Sequence, residues 1–298
     1  MQTHTSHLLS FLGQALGVPL GAIPLSQCRI LRPYLLEKMG LGINGTAVIF
    51  AVPYLIAADA KDPRRNLSLY AVPEDYHGYF NDLKDTLLPR LRDMFPEAHF
   101  GLFADHSPIA EVEAAVKCGL GCLGKHGLLI TQAYGSFVFL GELITDLHPD
   151  MVMDDAVCSQ RSVMNTCEGC DACIRACPGK CLPSHRDTCI SAISQKKGDL
   201  TPEEIRLLTA QTLVWGCDVC QLVCPHNRRV IEADKNTPVT YFSDHRIKYI
   251  DQTILDQMDD AAFSRRAYAW RGKTVIMRNL ALLGKGEAYD ESDTGSHG

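Results

Sequence analysis

The chain has 298 residues, 46% of them hydrophobic and 21% charged, with a formal net charge of −6 and 13 cysteines. It can bury a substantial core in about two domains, shows no low-complexity tract, and is too acidic for general attraction to a polyanion. No run of about 18 apolar residues marks a membrane span, and the start MQTHTSHLLSFLGQALG lacks the regions of a secretory leader. A cytoplasmic protein with no membrane partner is expected, its cysteines reduced and available to metal rather than joined in disulfides.

Residues Leu8–Leu16 and Cys28–Met39 have helix-like apolar spacing, and TAVIFAV at Thr46–Val52 reads as a short strand. Pro73–Phe95 reads as a long amphipathic helix with Pro73 in its first turn. His99–Ala104 is a further strand, which delivers Asp105 at its C-terminal end, the place where open α/β sheets hold ligands. A helix over Pro108–Lys117 stops at Gly119, and Ser107 lies closer than Asp105 to its cap position, which leaves Asp105 freer for chemistry.

The glycine-rich stretch Gly119–Lys125 follows, where Gly121, Gly124 and Lys125 would let backbone or ammonium groups approach a ligand. It matches neither a Walker A loop nor a dinucleotide fingerprint, so no nucleotide cofactor is expected. Gly127–Thr131 and Gly135–Ile144 read as strands, with Glu142 and Asp146 as structural hydrogen-bonding groups. Cys28, Cys118, Cys122 and Cys158 read as small buried hydrophobes. The expected architecture is an α/β head, with α+β character, over 1–150; a ferredoxin-like module over 151–235; and a short helical segment over 236–298 with a disordered polar end.

The module carries the strongest signal. Cys167, Cys170, Cys173 and Cys177-Pro178 reproduce the bacterial ferredoxin run CxxCxxCxxxCP, and Cys217, Cys220 and Cys224-Pro225 repeat its second half. Two 4Fe–4S clusters need eight thiolates, so one more must come from between the groups, where Cys181 and Cys189 are candidates and Cys189 is preferred. In the crossed arrangement of two-cluster ferredoxins, Cys167, Cys170, Cys173 and Cys224 hold one cube and Cys177, Cys189, Cys217 and Cys220 the other. Zinc sites lack the trailing Cys-Pro.

Several stretches in fixed order give the chain a family likeness: Tyr70-Ala71 before Asp75-Tyr76-His77; Asp105 with Ser107-Pro108; Gly119-Leu120-Gly121 through Gly124-Lys125; and Phe139-Leu140-Gly141-Glu142 with Thr145-Asp146. With Cys189-Ile190-Ser191 and Gly216-Cys217-Asp218, the chain resembles epoxyqueuosine reductase, a cobalamin-dependent iron–sulfur enzyme related to the corrinoid-binding core of reductive dehalogenases. The resemblance supports Cys189 over Cys181. It implies base-off cobalamin in the head, reduced by the clusters to cob(I)alamin, with His77, Asp105, Gly121, Gly124 and Lys125 at the cofactor and Asp105 donating a proton to the departing epoxide oxygen. Such an acid needs a pKa raised by an apolar pocket.

The implied substrate is the epoxyqueuosine of a tRNA anticodon stem-loop, or a smaller modified nucleoside, with electrons from a flavodoxin or ferredoxin. A related reductase acting on an organohalide, and a pure electron-transfer protein, are the alternatives. The chain departs from the family where it stops after Asn279-Leu280-Ala281, short of a helical-repeat domain, and where Val112 stands in place of an arginine. Residues 264–286 carry Arg265, Arg266, Arg271, Lys273, Arg278 and Lys285 with no acidic residue, either an RNA footprint or a solvated cationic face.

Overall fold

The computed structural model describes residues 7–152, 167–183 and 186–290. They divide into two units: Met1–Tyr54, Tyr76–Glu168 and Asn236–Val239 in the first, and Leu55–Asp75, Gly169–Lys235 and Thr240–Gly298 in the second. This differs from the linear order expected. Leu55–Asp75 leaves the head, and most of the C-terminal segment joins the cysteine module. Cys158 and residues 291–298 lie outside the described residues. Among those described, no helix is long and apolar enough to cross a membrane.

Among the described residues the first unit has six strands: β1 (Leu20–Pro24), β2 (Thr46–Pro53), β3 (Phe100–Phe103), β4 (Cys122–Leu123), β5 (Leu129–Ile130) and β6 (Val138–Thr145). The main sheet runs β1-β2-β6-β3, and every pairing is antiparallel. The head is therefore α+β, and the ligand rule for open parallel sheets does not apply to it. β2 is buried at all eight positions, which explains its unbroken apolar sequence in the middle of the sheet. Helix Glu111–Lys117 is shorter than the expected Pro108–Lys117, and it buries Ala114 and Ala115 in a core shared with Ile23, Ile49 and Ile144. Over Cys28–Met39 only Pro33–Lys38 is α-helical.

The long helix runs from Tyr76 to Met94 and does not include Pro73. The reason lies in the second unit. Arg266, 2% exposed, donates through Nη2 to the carbonyls of Val72 and Pro73, and the Asp75 N–H donates to the Arg265 carbonyl at 2.8 Å. These bonds tie the carbonyls of residues 72 and 73 and the N–H of residue 75 into the second unit, so the helix begins after them. Pro89 inside the helix removes one donor without ending it, and the buried face is Phe80, Leu87, Leu88 and Leu91.

The second unit packs around Trp215 and Tyr268, both fully buried with Leu67, Ile250 and Ile276. Trp215 Nε1 donates to Tyr70 Oη at 2.7 Å. Asn279, also fully buried, donates through Nδ2 to the carbonyls of Ser194 and Val214, each at 2.8 Å. Gly216, just before Cys217, has φ +79°, and a Cβ there would lie 2.4 Å from Ser68 Cβ. Gly216→Ala combines a left-handed conformation with a clash, so a loss of about 1–3 kcal/mol or more is expected, read as a lower urea midpoint.

Candidate active site

Asp105 stands just beyond β3 with φ 63°, a left-handed conformation that aspartate tolerates better than most residues. The His106 N–H donates to the Ala104 carbonyl at 2.6 Å, which closes a tight γ-turn with Asp105 at its apex. The turn is braced from outside. Arg32 Nη1 donates to the Ser107 carbonyl at 2.8 Å, the Leu31 N–H to the Pro108 carbonyl at 2.7 Å, and Tyr34 Oη meets His106 Nε2 at 2.8 Å. A left-handed apex costs conformational energy, which these surrounding bonds offset.

The Asp105 carboxylate accepts a hydrogen bond from Tyr76 Oη at 3.0 Å and lies 3.9 Å from His77 Nε2. Tyr76 is stacked on Phe139, centroids 4.5 Å apart, and on His77 at 4.1 Å. Together these rings form an aromatic shelf beside the acid. A cavity of about 140 Å³ opens here, lined by Tyr76, Asp105, Glu111, Val112, Phe139 and Leu140, with Leu128, Leu129, Ser136 and Val138 completing its wall. Tyr76, His77 and Asp105 thus come together, and Val112 faces the same cavity.

The apolar enclosure expected around Asp105 is not found at its carboxylate, which is 65% exposed. Enclosed acids lie next to it instead. Glu142 on β6 is fully buried, and burial, followed by the neighbouring Glu111 charge, raises its pKa well above the usual carboxylate range. Glu111, at the start of its helix, is also raised, chiefly by burial, with the Asp105 backbone N–H beside it acting the other way. The sequence reading gave Glu142 only a structural role and passed over Glu111. The available signal was a lone carboxylate inside the apolar run GSFVFLGELI.

Gly121, Gly124 and Lys125 do not line the cavity; they belong to the β4–β5 hairpin. A Cβ at Gly121 would come within 2.1 Å of the Ile130 carbonyl oxygen, so close strand approach accounts for that glycine. Asp146 bonds His99, its Oδ1 to the backbone N–H and its Oδ2 to Nδ1, each at 2.8 Å. The basic segment is largely occupied with the fold: Arg265 pairs with Glu74 at 2.8 Å, Arg266 is buried, Arg278 donates to the carbonyls of Lys196 and Gly198, and Arg271 stacks on Trp270.

Of the cysteines in the two runs and between them, Cys173, Cys181 and Cys224 are buried, and Cys167, Cys170, Cys177, Cys189, Cys217 and Cys220 are partly so. Burial pushes the Cys217 thiol up to about 11 and the Cys220 thiol up to about 12, with Cys189 contributing to both. Cys177 acts on Cys217 and Cys173 on Cys220. The thiolate is the form that ligates metal, so metal binding at these buried thiols releases their protons. Cys181 Sγ lies 3.4 Å from Cys177 Sγ, and its thiol is raised by burial, Cys177 and Cys189. Among the described residues no three ligands converge on a single-ion site.

The loop carrying Cys217 and Cys220 is tied down through Asp218. It pairs with Arg65 Nη1 at 2.7 Å, the two side chains 1% and 6% exposed, and accepts from the Ser68 hydroxyl and from the Leu69 N–H at 2.9 Å.

A family model described as a 4Fe-4S double cluster binding domain matches residues 166–227. An epoxyqueuosine reductase of Aliivibrio fischeri is 36% identical over 235 residues, covering 76% of this chain and 60% of that protein. This chain thus spans less than two thirds of that curated relative. The solved epoxyqueuosine reductase of Streptococcus thermophilus superposes with TM-score 0.72 at 22% identity, covering 96% of this chain and 85% of that one. An epoxyqueuosine reductase solved with a tRNA-Tyr epoxyqueuosine-modified stem loop gives TM-score 0.70 at 22% identity, over 92% and 79% of the two chains. The chain is a homologue of the epoxyqueuosine reductases, with their fold and a double 4Fe–4S cluster binding domain.

Proposed function

We propose that the protein reduces the epoxide of epoxyqueuosine to the alkene of queuosine, with Asp105 as the acid that protonates the departing oxygen. The observation that carries this reading is the exposed Asp105 carboxylate, held at the apex of a braced turn by Tyr76 Oη and facing a cavity in a homologue of the epoxyqueuosine reductases. Converting an epoxide to an alkene and water consumes two electrons and two protons, and the first proton is needed where the carbon–oxygen bond breaks. Asp105 faces the cavity and Tyr76 orients it; a cyclic substrate seated on the aromatic shelf would cover the carboxylate and supply the apolar surroundings it lacks in the free protein.

The cavity of about 140 Å³ suits the substrate ring and would not enclose a corrin. Its apolar wall, Leu128, Val138 and Leu140, is chemically suited to one lying across it, and these residues would hold it. When bound, cobalamin would supply a strongly reducing two-electron donor to the substrate carbon. Cys167, Cys170, Cys173 and Cys224 would hold one cluster and Cys177, Cys189, Cys217 and Cys220 the other, fed by a flavodoxin or ferredoxin. Binding of the tRNA anticodon stem-loop is proposed from the relative solved with such an RNA. The test is an electron paramagnetic resonance spectrum of the cluster-loaded protein mixed with cob(II)alamin. A base-off signal supports the reading, and a spectrum identical to free cobalamin, with negligible stem-loop affinity at low salt, removes it.

Cys181→Ala is expected to keep the full iron complement, since Cys189 is the assigned ligand. Iron loss in that variant, measured by metal analysis, would transfer the ligand role to Cys181.

A further inference from the structure

The Glu111 and Glu142 carboxyls are neighbours, and three of their oxygens, both of Glu142 and Oε2 of Glu111, are buried with no hydrogen bond; the Ser107 hydroxyl, whose oxygen accepts the Ile109 N–H, is the donor group beside Glu142. Glu142 is fully buried, and a single neutral hydroxyl is too little to hold a buried carboxylate ionised beside a second one. A neutral carboxylic acid has one O–H to give, and Glu111 is the acceptor beside it. The Asp105 N–H, at the apex of the turn, is the backbone donor beside Glu111. We propose that Glu111 and Glu142 share a single proton, Glu142 donating to Glu111, and that the pair positions Asp105 for its acid step by holding that backbone N–H. The positional role rests on the reading of Asp105 given above; the shared proton does not.

The surroundings agree. Across the sheet, Glu142 is opposite Ile49 on β2 and Phe103 on β3, neither able to donate from its side chain. The charged or titratable groups acting on the pair are Asp105 and Arg32, with Cys28 also within the field of Glu142 and itself under Lys117 and Glu113; the Ser107 hydroxyl interacts with Glu142. Arg32 is the cation acting on Glu111, and its Nη1 is bonded to the Ser107 carbonyl.

The sign follows from the raised pKa of Glu142. The unfolded chain releases this proton near the ordinary glutamate value and the folded chain keeps it. Stability contributed by the protonated pair is therefore complete at low pH and is lost as pH rises towards the folded value. Above that value two buried carboxylates repel each other and Asp105.

The test is infrared difference spectroscopy of the full chain across a pH titration, with glutamate carrying 13C in its side-chain carboxyl. At neutral pH a protonated-carboxyl C=O stretching band that shifts with the label, and that Glu142→Gln removes, is expected. Absence of the band in the unsubstituted protein overturns the proposal without any variant; so does its persistence in Glu142→Gln. For positioning, Glu111→Gln should lower kcat about tenfold or more with KM unchanged, because a neutral acceptor holds the Asp105 N–H less firmly. A change in KM alone, or none, overturns that role. If unsubstituted protein turns over no epoxyqueuosine while the band is present, the function fails and the shared proton stands.

Discussion

Asp105→Asn should lower turnover roughly 10²- to 10⁴-fold, the usual worth of a positioned general acid, while iron content and thermal unfolding stay at their original values. The two halves of this expectation have separate causes. Asparagine has no acidic proton, so the departing oxygen must take one from water. The fold is spared because the side chain is 65% exposed and asparagine, like aspartate, accepts φ 63°. Its amide oxygen can still accept from Tyr76 Oη. Asp105→Ala would be a poorer test, since an alanine at this φ strains the turn and mixes loss of acid with loss of position. Single-turnover assays beside metal analysis separate the outcomes: an active, iron-replete Asp105→Asn protein would take the proton donor away from this residue.

Asp218→Ala should be the most destabilising single change in the cysteine module, costing about 3–5 kcal/mol, because it leaves the buried Arg65 guanidinium without its counter-charge. The Ser68 hydroxyl and the Leu69 N–H lose their acceptor at the same time. Asp218 lies between Cys217 and Cys220, so the loop that presents both thiols loosens with it. The urea midpoint should fall and iron should be lost at the same denaturant concentration. Asp218→Asn keeps an acceptor but not the charge, and its effect should be intermediate. If Asp218→Ala unfolds as the unsubstituted chain does, the pairing with Arg65 does not organise this loop.

The features legible in the sequence were those written in local spacing. The ferredoxin cysteine runs, the apolar strand over Thr46–Val52 and the aspartate following a short strand each depend on neighbours a few residues away. What the sequence hid depends on distant partners. Pro73 looked like a helix start because proline favours a first turn, but Arg266 draws the carbonyls of Val72 and Pro73 into the other unit. Alternating helices and strands suggested an α/β head, whereas β6 inserts between β2 and β3 with antiparallel register. The arginines of 264–286 read as either an RNA footprint or a solvated cationic face, yet Arg266 and Arg278 are bonded to backbone carbonyls. Glu142 was hidden for a similar reason: nothing local shows that Glu111 lies beside it.

The most direct measurement is mass spectrometry of an epoxyqueuosine-containing anticodon stem-loop after anaerobic incubation with the cluster-loaded protein, cobalamin and a low-potential reductant. Conversion to queuosine, by loss of one oxygen atom from the modified base and at a rate that collapses in Asp105→Asn, is the result expected. An unchanged stem-loop under conditions where both clusters and cobalamin are demonstrably reduced would contradict it.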